Sequence, residues 1–196
     1  LTANPSAVPD TLTVDIIPSA NPDGVYKVLG VEGRFSTTDV TVSKDATAPG
    51  RFNANGVDLN RNFACKWQPE STWRGNVVSA GTAAFSEPEA QAIRTLVQET
   101  NPKAAVFFHS QSNAVYASEC EFGVLPETRT VMNTYSQATG YKAVDSFDAY
   151  EVTGDAVNWF AKNNVPAISV LLTTHDSVEW SRNRAGVTAV LDHYGE

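Results

Sequence analysis

Two strand-length apolar runs, Ala104-Ala105-Val106-Phe107-Phe108 and Ala167 to Leu172, constrain the fold of this chain more than any other feature. A strand that is apolar at nearly every position has no face to give to water, so it belongs inside a sheet covered by helices on both sides. Helical patterns surround both runs. Ser86-Glu87-Pro88-Glu89 reads as a capping box with proline in the first turn, and Ala90, Ile93, Leu96 and Val97 form one apolar stripe that Asn101-Pro102 ends. A second helix begins at Pro126, carries Val131, Met132, Tyr135 and Ala138 on one face and ends at Gly140. Gly154-Asp155 opens a third, with Val157, Phe160 and Ala161 turned inward, and Asp176 with Glu179 caps a last helix carrying Val187, Val190, Leu191 and Tyr194. Strands alternating with helices predict an α/β fold, a mixed, mostly parallel sheet covered by helices on both faces.

Elsewhere the pattern is less regular. Thr11 to Ile17, rich in β-branched residues, predicts a strand ending at Pro18; Asn21-Pro22-Asp23-Gly24 predicts a turn, and Val115-Tyr116-Ala117 a short strand. Two long irregular segments, 30–54 and 66–85, flank a polar stretch, and long loops of this kind commonly carry function. With 196 residues, 42% of them hydrophobic and 18% charged, the chain is expected to form a single domain, residues 1–196. A net charge of −8 and no Lys/Arg cluster argue against nucleic acid as a partner, because phosphate binding needs a basic surface. No apolar run is long enough to cross a bilayer, and residues 1–9 lack the basic and apolar regions of a signal peptide, which a mature or trimmed chain would have lost. Cys65 and Cys120 permit one disulfide in an exported protein or two separate buried thiols, and spacing alone does not decide between them.

The polar stretch Gly56-Val57-Asp58-Leu59-Asn60-Arg61-Asn62-Phe63 is more specific than a core strand requires. Ten residues before Arg61 stands Arg51, and two guanidiniums can hold a carboxylate on one side and a carbonyl oxygen on the other. A surface loop with Asp58 paired to an arginine is the plainer reading. His109 follows the first apolar run at its carboxyl end, where open α/β sheets bind ligands, although a single histidine is more often a hydrogen-bonded core or surface residue.

Taken together, Arg51 to Phe63, Asn21-Pro22-Asp23-Gly24, Phe108-His109-Ser110, Tyr150 with Thr153-Gly154-Asp155 and Trp159, and Pro166-Ala167-Ile168-Ser169-Val170 resemble, in order, the motifs of zinc metallocarboxypeptidases of the carboxypeptidase A type, the M14 peptidases. The resemblance, bacterial in flavour, implies a carboxypeptidase-like fold that this chain enters after its first strands and helix, so that it is an N-terminally truncated, partial catalytic domain. It implies removal of a C-terminal residue from peptides or peptidoglycan peptides by zinc-assisted hydrolysis, in the extracellular space or cell envelope. His109 matches the third zinc ligand, Asn60 and Arg61 the clamp on the terminal carboxylate, Arg51 the oxyanion-stabilising arginine and Tyr150 the tyrosine that closes over substrate. Val157 matches the floor of the specificity pocket and suggests an apolar terminal side chain, whereas Asp155 nearby favours a basic one.

Two departures stand against hydrolysis. The family's first two zinc ligands come from a His-x-x-Glu motif upstream of Asn21, and the histidines here are His109, His175 and His193. His175 and Glu179 lie in the capping region of the last helix and are poor substitutes. Leu171 occupies the position of the general-base glutamate, and a leucine accepts no proton. The chain is therefore expected to be an inactive, pseudoenzyme form of a metallocarboxypeptidase with an incomplete zinc site. The competing expectation is a non-catalytic module that binds peptide C-terminal carboxylates.

Overall fold

The structure, a computed structural model, describes residues 7–36, 46–148 and 150–195. The chain falls into two compact units, one comprising Leu1–Ile16, Asn101–Glu151 and Val157–Glu196, the other Ile17–Thr100 and Val152–Ala156.

The first unit is built on a four-stranded sheet of β3 (Ala105–Ser110), β8 (Ala167–Leu172), β4 (Ala114–Ala117) and β7 (Lys142–Val144), in that order. β3 runs parallel to β8, and β4 runs parallel to β7 and antiparallel to β8, so the sheet is mixed and mostly parallel as the alternation predicts. The core gathers Val115 and Ala117 of β4, Ile168 and Val170 of β8, Val131, Met132 and Tyr135 of α3 (Pro126–Thr139) and Val190 of α5 (Trp180–Gly195). Val106 packs against this cluster, while Phe107 meets Phe160 of α4 (Ala156–Lys162) edge to face at 5.3 Å. Successive residues of β3 thus face helices on opposite sides of the sheet. α3 and α5 approach closely at Gly186, where an added Cβ would lie 2.5 Å from the Tyr135 ring.

In the second unit α1 (Pro22–Leu29) leads into a 3-10 turn at Ala48–Arg51, a second 3-10 turn at Leu59–Arg61, the hairpin of β1 (Glu70–Trp73) and β2 (Asn76–Ser79), and α2 (Pro88–Thr100). The polar stretch is tied to the hairpin by a bridge between Val57 and Ser79 and by the Asp58 N–H donating to the Ser79 carbonyl at 2.9 Å. A minor ribbon of β5 (Glu119–Cys120) and β6 (Gly123–Val124) belongs to the first unit.

Four local expectations are corrected. Thr11 to Ile17 forms no strand, and Ile16 and Ile17 are exposed, because among the described residues nothing pairs with this stretch and β propensity acts only through such pairing. Asn21-Pro22-Asp23-Gly24 starts a helix instead of making a free turn. Asn21 is its N-cap, accepting from the Gly24 N–H at 2.9 Å, Pro22 takes the first position and Gly30 closes it with φ +70°. Third, among the described residues β3 is the outer strand of the sheet, with Phe108 49% exposed, so of the two apolar runs β8 is the more buried. Fourth, α5 begins only at Trp180, and the Glu179 carboxylate folds back onto Thr173, Tyr141 and Arg182.

Candidate functional site

Asn60 and Arg61, which the resemblance leads one to expect as a carboxylate clamp, lie on a short stretch whose conformation is held by its own polar side chains. Asp58, 1% exposed, caps the Leu59–Arg61 turn by accepting from the Asn60 N–H at 3.2 Å. Its other oxygen accepts from Arg51 Nε at 2.6 Å, so the pairing of Asp58 with an arginine is realised, but in a buried stretch and not in the surface loop of the plainer sequence reading. The Arg51 guanidinium also lies 4.7 Å from the centre of the Trp73 ring, which Arg74 approaches equally closely. Trp73, edge-on to Phe52 at 6.0 Å, is a neighbour that no motif pointed to.

Asn60 turns its Oδ1 to the N–H of Ala156, the first residue of α4, at 3.1 Å. Arg61 is buried, 2% exposed, with Nη1 donating to the Asn60 carbonyl at 2.8 Å and Nη2 to the Thr72 carbonyl at 3.4 Å. Its Nε has no hydrogen-bond partner, and among the described residues Arg61 forms no salt bridge. A buried guanidinium left with a bare donor and no counter-charge is costly, and a carboxylate is the group that matches its fork. The backbone at Arg61 is pinned by Gly154, whose φ is +65° and where a Cβ would lie 2.1 Å from the Arg61 carbonyl oxygen. Gly154 also donates to the Cys65 carbonyl at 2.7 Å and accepts from the Phe63 N–H at 2.9 Å. No side chain fits there, which gives the glycine of Thr153-Gly154-Asp155 its physical reason. Asp155 beside it is buried.

The remaining candidates belong to the sheet unit. His109 and Leu171 are register partners on adjacent parallel strands, at their carboxyl ends. By alternation both lie on the face that carries Phe107, opposite the α3–α5 core. His175 is elsewhere, its Nδ1 2.6 Å from Ser110 Oγ. Glu179 is taken up by the Tyr141 hydroxyl at 2.8 Å, by the Thr173 N–H at 2.6 Å and by Arg182 at 2.9 Å. These bonds hold its carboxyl near pKa 2 against the upward push of burial. Tyr150 is 53% exposed and rests edge-on against Phe147 at 4.8 Å, which in turn meets Tyr116 at 5.4 Å. Val157 is buried in the first turn of α4. Both cysteines, Cys65 and Cys120, are disulfide-bonded.

A catalytic zinc takes about three protein ligands and keeps one position open. Among the described residues no group of three or more His, Cys, Asp or Glu side chains lies together in a way that would hold a metal ion. The described residues do not by themselves compose a zinc centre.

Comparison with known proteins agrees with the motif order. The zinc carboxypeptidase family, Peptidase_M14, matches residues 4–178, and the chain belongs to that family. It is similar to gamma-D-glutamyl-L-diamino acid endopeptidase 1 of Lysinibacillus sphaericus, 28% identical over 160 residues, covering 77% of this chain and 39% of that protein. It is also similar to murein peptide amidase A of Escherichia coli K12, 33% identical over 129 residues, covering 61% of this chain and 50% of that protein. The chain thus spans half or less of the length of these relatives. Among solved structures, murein-tripeptide amidase from Escherichia coli O157 superposes with a TM-score of 0.58 at 26% identity, over 90% of this chain and 65% of that one. Carboxypeptidase A from Helicoverpa armigera shares the fold, with a TM-score of 0.58 at 21% identity over 91% of this chain and 49% of that one. No helix among the described residues is long and apolar enough to cross a membrane.

Proposed function

We propose that this chain is part of a carboxypeptidase-like domain that recognises peptides by their C-terminal carboxylate and, as it stands, does not cleave them. The observation that carries the reading is Arg61, buried with a bare Nε and no salt bridge among the described residues, beside an Asn60 whose Oδ1 is already engaged by the Ala156 N–H. A bidentate contact from Arg61, helped by the Asn60 amide, would satisfy the orphan donor and confine recognition to chain ends. In this reading Arg51 faces the carbonyl of the last peptide bond and Asp155 contributes to selecting the terminal side chain; for Tyr150 and Val157 the roles in covering and selecting that residue are what the family resemblance implies. The names of the murein-acting relatives make peptidoglycan peptides the first ligands to try. The disulfide-bonded cysteines support an extracellular or cell-envelope setting, where such bonds persist.

The absence of cleavage follows from Leu171, which takes the place of the proton acceptor, and from a ligand set in which His109 stands alone. General-base help is worth about 10²–10⁴ in rate, so its loss alone would leave little turnover. One observation favours the hydrolytic reading instead: His109 is kept at the carboxyl end of β3. That reading requires two more ligands and a base from outside this chain.

The test is zinc titration and a C-terminal release assay on the purified chain, with binding of one short peptide measured as the free acid and as the C-terminal amide. Binding of the acid, weak binding of the amide and no release with zinc present are expected. One tightly held zinc per chain with rapid release of the last residue would overturn the non-cleaving reading.

A further inference from the structure

We propose that Glu87 is a positioning residue for the carboxylate clamp, its buried carboxylate fixing the two ends of the loop that carries Asp58, Asn60 and Arg61. The inference rests on the clamp reading above and names the residue that sets its geometry. Glu87 directly precedes α2 and is 5% exposed. Its sequence neighbourhood reads as a helix cap, but its side chain turns to the polar loop. Glu87 Oε2 accepts from Asn53 Nδ2 and from Asn55 Nδ2, each at 2.8 Å, and Oε1 accepts from Ser86 Oγ at 2.7 Å. Among the described residues no cation pairs with it, so neutral donors alone hold the charge. Burial pushes its pKa up, yet the bonds from Asn53, Asn55 and Ser86 prevail and hold it below the usual carboxylate range.

Both brackets of the loop meet at this residue. At the upstream end, Asn53 gives its amide to Glu87 and thereby aims its Oδ1 at the N–H groups of Asn55 and Val57, at 3.1 and 3.0 Å. Its backbone N–H donates to the Val57 carbonyl at 3.1 Å, which closes the turn. Downstream, the Glu87 N–H donates to Asn62 Oδ1 at 3.1 Å, and Asn62 Nδ2 donates to the carbonyls of Ala80 and Ala83 and to Ser86 Oγ. Gly81 leaves room for this knot, since a Cβ there would lie 2.5 Å from Asn62 Nδ2 and 2.2 Å from Ser86 Oγ. Residues 54–61 are therefore strung between two asparagines, both anchored on Glu87.

The arrangement depends on an acceptor oxygen at this point. A glutamine in its place can keep its carbonyl oxygen on Asn53 and Asn55 and turn its NH₂ to the Ser86 hydroxyl oxygen, whereas an alanine leaves both amide donors without this acceptor. With alanine the loop loosens although no residue that would touch a ligand has changed.

The experiment compares binding of one short peptide, as free acid and as C-terminal amide, to the wild-type chain, to Glu87→Ala and to the conservative Glu87→Gln. The preference for acid over amide should fall about tenfold in the alanine variant, the size expected when buried donors lose their acceptor, and stay near the wild-type value in the glutamine variant. An alanine variant that keeps the wild-type preference overturns the positioning role and leaves the clamp reading standing. A glutamine variant that folds but loses the preference overturns it too, and serves as the test should the alanine variant not fold. A wild-type chain that binds acid and amide alike removes the clamp reading, and the positioning role falls with it.

Discussion

The loop from Arg51 to Asn62 and the strand ends at His109 and Leu171 are the two regions that the family motifs single out, and they are built on different terms. In the loop nearly every polar side chain also holds up the backbone. Asp58 caps a turn and pairs with Arg51, Asn53 closes the preceding turn, Asn62 spans to Ala80 and Ala83, and Asn60 accepts from the first N–H of α4. Replacing any of them strands buried donors or acceptors, at about 1–3 kcal/mol each. At position 171 the strand ladder to β3 and β4 is made by the backbone whatever the side chain, so the leucine there is not required by the pairing. Polar side chains that double as scaffold are locked in by stability, whereas a side chain that the strand ladder does not use is not.

That contrast is most directly broken at Asp58. Asp58→Ala leaves Arg51 without this carboxylate and removes the cap of the Leu59–Arg61 turn, and should cost about 2–3 kcal/mol, read as a lower urea midpoint. A loss under about 0.5 kcal/mol would mean that the loop does not depend on its polar side chains.

A smaller effect is expected at Glu179, which shows that a carboxylate near the end of β8 can still be scaffold. Burial pushes its pKa up, but bonds from the Thr173 N–H, Tyr141, Arg182 and the Thr173 hydroxyl bring it down to about 2 from the ordinary 4.5. Because the folded-state value lies below the unfolded one, the stabilisation is complete above about pH 4.5 and is lost as pH falls towards 2. Allowing for solvent screening it is worth on the order of 1–2 kcal/mol. Acid titration of wild type against Glu179→Gln should show the variant less stable at pH 6, with the gap closing below pH 4. A constant gap across that range would assign the stability to something other than the ionised carboxyl.

The smallest change belongs to Leu171. Leu171→Glu, at a half-buried position, should shift stability by less than about 1 kcal/mol and release no C-terminal residue from peptides with zinc present. Urea unfolding and a release assay read the two quantities. Turnover restored by this one substitution would show that His109 does not stand alone as a zinc ligand.

What the sequence determined by itself are features whose partners lie within a few residues. The apolar run of β8, the 3.6-residue stripes of α2, α3 and α5 and the glycine stop of α3 are local consequences of side-chain spacing and backbone preference. The order of motifs from Asn21 to Val170 was legible for the same reason, as was the position of His109 at a strand end. The tertiary structure alone decided which polar groups found each other. Glu87 reads locally as part of a cap, yet its strongest partners, Asn53 and Asn55, stand more than thirty residues upstream. Trp73 meets Arg51 from more than twenty residues away, and Gly154 comes against Arg61 from more than ninety residues away. Among the described residues Thr11 to Ile17 has the composition of a strand and forms none, and β3 has the composition of a buried strand and is the outermost of its sheet. Hydrogen-bond pairing and burial are satisfied between distant segments, so a pattern with a reach of four residues carries no record of them.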